Sequence, residues 1–326
     1  MTEVRTRWRE LIGPVGRLPT GERNAITDVP GVRVGQSQAA SGEKTGVTVV
    51  APPELPAPAA TATVNGVGEL TAKLEIDERG RMETPVYLCG SHAIGTVLQA
   101  AIEASGRGPD NIVLPVVGEC DDGDLADSRK VVAADVDRAL DALGPEVAEG
   151  TVGAGTGMNC FEFPGGIGTA SRRVGDHHVG VLLLCNFGDR RYLDVLAGLE
   201  DADGPLARAS ERPPPHGSCI AVCATDAPLS LLQLRRLALR PLLGLCRAGS
   251  FGSEGSGEIG IAFGTANGID GGPGVTDAVI EELFAAAFEA ARESVYNCLV
   301  AARPSERLDG TMQPSFPIDA IRSARG

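Results

Sequence analysis

The serine at position 218 stands where two very different stretches of the chain meet. Before it, residues 198–217 are polar and end in Arg-Pro-Pro-Pro-His-Gly. Three prolines hold the backbone extended and remove N–H donors, so this stretch predicts an exposed linker. After it, residues 218–225 form an apolar run that predicts a buried strand. Taken alone, such a junction is typical of an ordinary loop that enters a strand.

Ser218 would gain a distinct chemistry if the Gly217–Ser218 peptide bond were cut. The new α-amino group has a reference pKa of about 7.7–8.0, so part of it is neutral near pH 7 and can act as a base toward its own hydroxyl. Glycine at 217 lets the backbone adopt strained geometry, and the hydroxyl can attack the carbonyl before it. The junction therefore suggests a hydrolase that processes itself and then attacks amide bonds without a histidine.

Two further segments carry residues that suit this chemistry. Ser256 and Glu258 alternate at the start of an apolar run over residues 259–263, so they share one face of a predicted strand and can hold an ammonium and relay its proton. Asn186 follows another apolar run, where its amide can stabilise an oxyanion. Each feature has an ordinary alternative, a hairpin-edge turn for the first and a turn residue for the second.

Ser250 is a rival nucleophile, because it too follows a glycine. It enters a glycine-rich loop with no strand to anchor it, so Ser218 is preferred.

The elements that must position these residues alternate along the chain. Short apolar, β-branched runs bounded by glycine or proline predict buried strands at 47–51, 86–89, 112–117 and 179–185. Helical patterns predict helices at 93–105, 128–143, 229–246 and 276–302, the last of which stops just before Pro304.

Composition narrows the class of protein. The 29 basic and 43 acidic residues give a net charge of −14, which argues against a nucleic-acid or anionic-membrane partner. Residues 1–10 show no signal peptide, and no apolar run is long enough to span a membrane. The cysteines lie mostly in apolar runs, and the spacing of Cys219 and Cys223 is not a known metal spacing. A cytoplasmic protein without metal or other cofactor is expected.

Beyond these patterns, a set of motifs resembles the DmpA-type family of self-processing aminopeptidases, which includes β-peptidyl aminopeptidases and nylon-oligomer hydrolases. The most specific are Gly-Gly-Ile-Gly-Thr-Ala-Ser-Arg at 165–172 and Ala-Thr-Asp-Ala-Pro-Leu at 224–229. The others lie at 115–119, 155–160, 181–188 and 256–267, in the family's order.

The resemblance implies an α/β fold, an αββα sandwich similar to the N-terminal-nucleophile hydrolases but with different connectivity. It implies one domain over 1–326, cut into 1–217 and 218–326. By position, Ser218 matches the nucleophile, Asn186 the oxyanion donor, and Ser256 and Glu258 the pair near the new amine. Glu119 falls among the groups that line the pocket for the amino end of a short peptide or amide. The family also implies a homo-oligomer, a tetramer or larger.

Three positions depart from the family. Pro164 replaces a lysine, Asp121 (followed by Asp122) replaces a tyrosine, and Gly264 replaces a serine. The acidic pair is expected to make the pocket favour a cationic or amine-bearing substrate.

Two other interpretations remain open at this stage. One is an acyltransferase of the ornithine-acetyltransferase kind, although that group uses threonine as its nucleophile. The other is an unprocessed, non-catalytic relative, in which Pro164 and Asp121 mark lost function.

Overall fold

A computed structural model describes residues 7–197, 217–266, 268 and 270–325. The predicted linker lies almost entirely outside the described residues, and only Gly217 of it is included. The strands are β1 (Arg33–Gln38), β2 (Gly46–Ala51), β3 (Ala57–Gly66), β4 (Arg81–Met82), β5 (Val86–Gly90), β6 (Val116–Cys120), β7 (Asn159–Cys160), β8 (Phe163–Pro164), β9 (Gly166–Val174), β10 (His177–Asn186), β11 (Ser218–Thr225), β12 (Gly257–Gly264), β13 (Ser305–Glu306) and β14 (Met312–Gln313).

Seven α-helices accompany these strands in the described part of the chain. They are α1 (Trp8–Leu11), α2 (Lys73–Arg79), α3 (Ile94–Ala104), α4 (Ala133–Asp141), α5 (Leu231–Ala248), α6 (Asp277–Ala301) and α7 (Ile318–Arg325). The two long ones begin at side-chain caps, since the hydroxyls of Ser230 and Thr276 accept from the backbone N–H groups of Gln233 and Val279.

Two mixed sheets form the centre of the fold. The larger has the order β4-β3-β12-β11-β10-β9, and the smaller has the order β1-β2-β5-β6. Within them, β11 runs parallel to β12 and β5 runs parallel to β6, while the other pairs are antiparallel. Strand β11, which begins at Ser218, is therefore an inner strand, with β10 on one side and β12 on the other.

Three apolar layers hold the sheets and helices together. One packs α5 and α6 on the outer face of the six-stranded sheet. A second lies between the two sheets. The third packs α3 and α4 on the outer face of the four-stranded sheet. This arrangement is the αββα sandwich expected from the resemblance.

Strand β11 explains why its sequence lacks a polar alternation. Cys219, Ala221 and Cys223 pack toward the helices, whereas Ile220 and Val222 pack between the sheets. Both faces are buried, so a continuous apolar run is required. The predicted bounds, 218–225, are those of the strand.

Two predicted elements are misplaced. The strand expected at 112–117 is β6 at Val116–Cys120, and Ile112 and Leu114 are exposed instead. The helix expected at 128–143 is α4 at Ala133–Asp141, preceded by a short 3-10 turn at Ser128–Lys130. Val131 and Val132 break the helix between them, because both adopt extended backbone.

A buried ionic network fastens α6 to β9. Glu293 and Arg172 are fully buried, and their Oε2 and Nη2 atoms lie 2.6 Å apart. Glu293 also accepts from Arg9 at 2.9 and 3.1 Å and from the Asn24 amide at 2.6 Å. Burial acts to raise the pKa of Glu293, but the hydrogen bonds from Arg9 and the charge of Arg172 hold it below its ordinary value. Every oxygen of this carboxylate is thus satisfied.

Candidate active site

Ser218 begins β11 in the middle of the six-stranded sheet. In the register of the strands it lies opposite Asn186, the last residue of β10, and opposite Gly257, the first residue of β12. Because Gly257 separates Ser256 from Glu258, four of the predicted site residues come together at one end of three adjacent strands.

The Ser218 hydroxyl is buried beside the Cys120 thiol. The residue is 5% exposed, and its buried Oγ has no hydrogen-bond partner in the part of the chain that is described. Immediately before it, the carbonyl oxygen of Gly217 accepts from the backbone N–H of Gly257 at 3.2 Å. That hydrogen bond draws electron density from the carbonyl that the hydroxyl would attack.

Gly217 is required by close packing. A Cβ atom at this position would lie 2.8 Å from the Cα of Phe187 and 2.9 Å from the carbonyl oxygen of Asn186. The expected strained backbone is not the reason, since Gly217 is not among the residues with positive φ. The glycine lets the end of β10 approach the Gly217–Ser218 bond.

Glu258 is held from one side. Its Oε1 accepts from the Ser256 hydroxyl at 2.5 Å, as the alternate spacing of these residues suggested, and from the Ser250 hydroxyl at 3.1 Å. Its Oε2 is buried and has no hydrogen-bond partner among the described residues. The side chain, only 1% exposed, therefore keeps one oxygen available for a cation.

The Asn186 amide is oriented by the backbone. Its Oδ1 accepts from the N–H of Asn159 at 2.8 Å, and its Nδ2 donates to the carbonyl oxygen of Asp121 at 2.6 Å. An amide nitrogen carries two hydrogens, so one remains for another acceptor. The fixed orientation suits a donor that must point at an oxyanion before the reaction begins.

Ser218 opens into a cavity of about 970 Å³. Carboxylates of Glu119, Asp121 and Glu254 line it, and none of the described lining residues is Lys or Arg. Glu119 is only 8% exposed. Its carboxylate is held by two hydrogen bonds: Oε1 accepts from the N–H of Glu69 at 2.9 Å, and Oε2 accepts from the Ser91 hydroxyl. This wall can bind an ammonium group.

Asp122 does not line this cavity, contrary to the expectation that both aspartates make it acidic. Its side chain points into the protein, where Oδ2 accepts from the Thr45 hydroxyl at 2.9 Å. Burial raises the pKa of Asp122 to about 6, against hydrogen bonds from Ser128 and Thr45 that lower it. Of these two adjacent residues, only Asp121 lines the cavity.

Comparison with known proteins agrees with this geometry. Residues 24–313 match the model of peptidase family S58. The chain belongs to peptidase family S58.

Relatives of this family support the match along the whole chain. The chain is 38% identical to the β-peptidyl aminopeptidase BapA of Sphingosinicella microcystinivorans, over 97% of this chain and 91% of that protein. Among solved structures, a β-aminopeptidase of a Burkholderia species is 37% identical with a TM-score of 0.85, covering 98% of both chains. The L-aminopeptidase D-Ala-esterase/amidase of Ochrobactrum anthropi, described as a new variant of the Ntn hydrolase fold, is 32% identical with a TM-score of 0.82, covering 97% of both chains. The chain is accordingly a hydrolase of the serine N-terminal-nucleophile type.

The positions at which this S58 peptidase departs from the family pattern differ in their distance from the site. Pro164 is buried on β8 and pairs with Asn159, whose N–H holds the Asn186 amide. Gly264 ends β12 opposite Thr225, seven residues along the strand from Gly257. At about 3.3 Å per residue this places Gly264 more than 20 Å from Ser218. The serine-to-glycine difference therefore lies outside the site.

Sequence reasoning missed Ser91 and His92 beside the cavity, and the contributions of Ser250 and Glu254. Ser250 was considered only as a rival nucleophile, and Glu254 was not considered at all. Both lie in the loop between α5 and β12, which returns to the start of β12. The signal for Ser250 was the Gly249-Ser250 pair, but that glycine ends α5 and turns the chain back.

The cysteines behind the site are reduced. All eight lie in the described ranges and are free. The sulfur atoms of Cys160, Cys185 and Cys298 lie within 4.8 Å of one another, yet burial raises the pKa of each thiol well above its ordinary value. These side chains pack as small apolar groups in the layer beneath α6.

Proposed function

We propose that this S58 peptidase cuts its own Gly217–Ser218 bond and then works as an aminopeptidase or amidase with Ser218 as nucleophile. The observation that carries this proposal is the unpartnered Ser218 hydroxyl beside a carbonyl that already accepts a hydrogen bond from Gly257. The chain is thereby one domain made of residues 1–217 and 218–326 after cleavage.

Self-cleavage uses the Ser218 hydroxyl, the Gly217 carbonyl, the N–H of Gly257 and one water molecule. The Ser218 Oγ adds to the Gly217 carbonyl carbon, the C–N bond breaks, and the hydroxyl proton passes to the departing nitrogen. Water then hydrolyses the ester, leaving a carboxylate on Gly217 and a free α-amino group on Ser218. The Gly257 N–H stabilises the oxyanion that forms on the Gly217 oxygen.

Substrate hydrolysis uses the amine that cleavage creates. The α-amino group takes the proton of its own hydroxyl while Oγ attacks the substrate carbonyl, and the proton then passes to the leaving amine. The Asn186 amide donates to the oxyanion, and Ser256 with Glu258 holds the protonated amine between steps. Water completes the cycle by hydrolysing the acyl-enzyme ester.

The acidic wall of the cavity sets the substrate's orientation. Glu119, buried and fixed by Ser91, binds the ammonium of a substrate's amino end, so that the first amide bond reaches Ser218. Asp121 adds a second carboxylate and favours short peptides, amides or esters that carry an amine. The relatives named for β-peptidyl and L-aminopeptidase activities support residues of either backbone type.

The resemblance to the family bears on the oligomeric state, and the free cysteines bear on the cellular compartment. We propose a homo-oligomer of four or more copies, which the resemblance supports. A cytoplasmic location is supported by eight free cysteines, which suit a reducing compartment. No helix in the described ranges is both long and apolar enough to cross a membrane.

The decisive experiment is the intact mass of the purified protein beside Ser218→Ala. In proportion to their lengths, the parts of a 33.6 kDa chain weigh about 22 and about 11 kDa. We expect both masses in the wild type, with Ser218 as a new N-terminus, and a whole chain in the variant. The cut enzyme should then release p-nitroaniline from L-, D- or β-aminoacyl p-nitroanilides.

Other outcomes would select other functions. A wild-type chain that stays whole after prolonged incubation would indicate an unprocessed relative and overturn the proposal. Acyl transfer to an added amine that exceeds hydrolysis would indicate an acyltransferase, since an amine and water compete for the same acyl-enzyme.

A further inference from the structure

Ser250 makes a polar contact that the proposed chemistry leaves unexplained. It follows Gly249 at the end of α5 and is 7% exposed. Its Oγ donates to Glu258 Oε1 at 3.1 Å and accepts from the N–H of Gly252 at 3.4 Å. The hydroxyl is therefore oriented from its own loop toward the carboxylate, and it does not line the cavity that Ser218 opens into.

The two serine hydroxyls give Glu258 an asymmetric environment. Ser250 and Ser256 donate to the same oxygen, Oε1, while Oε2 stays buried without a donor. A buried carboxylate oxygen without a partner is unfavourable, and such groups are rare unless a ligand or a reaction uses them. Both hydroxyls come from the loop between α5 and β12, Ser250 from its beginning and Ser256 from its end.

We infer that Ser250 is a positioning residue, which with Ser256 fixes Oε1 of Glu258 so that Oε2 receives the α-ammonium of Ser218. The inference rests on the proposed function, because the ammonium exists only after cleavage. Strand register supports it, since Ser218 lies opposite Gly257, the neighbour of Glu258. The two donors also spread the negative charge of the carboxylate, and this limits how strongly it holds the proton on the amine.

The titratable groups around this pair come from α5, from β6 and from the cavity. Burial raises the pKa of the Cys246 thiol on α5, and the charge of Glu258 adds to this. Burial also raises the pKa of the Cys120 thiol on β6, next to Ser218. Both thiols therefore stay protonated near pH 7. The cavity contributes the carboxylates already described together with His92.

The test is Ser250→Ala, with Ser253→Ala as the matched control. Ser253 lies in the same loop, but its described hydrogen bonds use the backbone carbonyl, which alanine keeps. For Ser250→Ala we expect normal self-cleavage, a fall in kcat of roughly ten-fold at pH 7, and a KM within about two-fold. The acid limb of the kcat–pH profile should move to higher pH, because a carboxylate with one donor fewer stabilises the ammonium more strongly.

A merely structural role would not move that limb, and Ser250→Thr, which keeps the hydroxyl, should restore it. A Ser250→Ala profile that superimposes on that of Ser253→Ala would overturn the inference. So would a Ser250→Ala chain that stays whole beside a cut wild type, because no ammonium exists before cleavage. A wild type that stays whole defeats the proposed function instead. If Ser250→Ala is insoluble, Ser250→Cys can replace it, because a thiol is only a weak hydrogen-bond donor. A kcat–pH profile of Ser250→Cys that matches the wild type would overturn the inference.

Discussion

Two buried glutamates, one on α6 and one on β12, show how differently a protein can treat the same group. Glu293, on α6, accepts from Arg9, Asn24 and Arg172, so both of its oxygens are satisfied. Glu258, on β12, accepts hydrogen bonds from two hydroxyls at Oε1, whereas its Oε2 has no hydrogen-bond donor among the described residues. Both side chains are almost inaccessible to water.

The difference separates a structural carboxylate from a reactive one. Glu293 has its cations in the folded chain, so it stabilises the contact between α6 and β9. Within the described residues Glu258 has only neutral donors, and under the proposed self-cleavage the new α-ammonium of Ser218 would be its cation. Removing Glu293 should damage stability, whereas residues around Ser218 should affect rates.

The largest effect is expected for Glu293→Gln. Loss of the charge leaves Arg172 buried without its closest partner, which should lower the free energy of unfolding by about 3–5 kcal/mol. Urea unfolding measures this change. Glu282→Gln, an exposed position on the same helix, should change it by less than about 0.5 kcal/mol. Equal effects for both variants would contradict a structural role for the network.

Among the residues around Ser218, Asn186→Ala should lower kcat by about 10²- to 10³-fold, which corresponds to an activation barrier higher by about 2.7–4 kcal/mol. The amide is held by Asn159 and Asp121, so the loss should fall on kcat rather than on KM. Steady-state kinetics of the cut enzyme, with its mass checked first, provides the measurement. An unchanged kcat would remove Asn186 from the oxyanion site.

Asp122 lies between the two cases, because it is buried with hydroxyl partners and no cation. Burial raises its pKa to about 6, above about 3.9 in an unfolded chain. Between these values the folded protein binds a proton that the unfolded chain has released, so stability should fall as pH rises from about 4 to about 6. The shift of about two units corresponds to about 3 kcal/mol.

Asp122→Asn should remove this pH dependence, which urea unfolding at pH 4.5 and pH 7.5 would detect. Asp124→Asn, at a side chain that is 56% exposed, should keep it. If the Asp122→Asn chain loses stability with pH as steeply as the wild type, another group is responsible.

The smallest effect is expected for Gly217→Ala. Its new Cβ would press against Phe187 and Asn186 and move the carbonyl away from Gly257. If this overpacking raises the activation barrier of self-cleavage by about 1–3 kcal/mol, the reaction should slow by roughly five- to a hundred-fold without being abolished. A time course of intact mass would show this, with Gly108→Ala, where a Cβ meets nothing, as control. Cleavage at the wild-type rate would mean that the packing at Gly217 is irrelevant to the reaction.

Sequence patterns predicted well the strands that are apolar throughout, and poorly those that are partly polar or made of small residues. Strand β11 was predicted residue for residue, because a strand buried on both faces must be apolar throughout. Strands β1 and β3 escaped notice, since Arg33–Gln38 is half polar and Ala57–Gly66 consists mostly of small residues. Such segments have little intrinsic preference for extended structure and are held by their neighbours in the sheet.

The same division applies to the site. Ser218, Asn186, Ser256 and Glu258 sit at strand ends, where order along the chain already places them, and the structure brings these four together. The second hydroxyl on Glu258 could not be predicted, because it depends on where α5 ends and how its loop returns. Likewise, only the local backbone decides that Asp121 faces the cavity and Asp122 does not.

The position of β11 and β12 inside the six-stranded sheet has a consequence for the life of the enzyme. Both strands belong to residues 218–326, whereas β3 and β10 on either side belong to residues 1–217. If the chain is cut as proposed, unfolding releases two separate polypeptides, and refolding becomes a bimolecular encounter without the millimolar effective concentration that a tether provides. Dilute cut enzyme should therefore refold more slowly than uncut Ser218→Ala, and its working lifetime should be governed by its rate of unfolding.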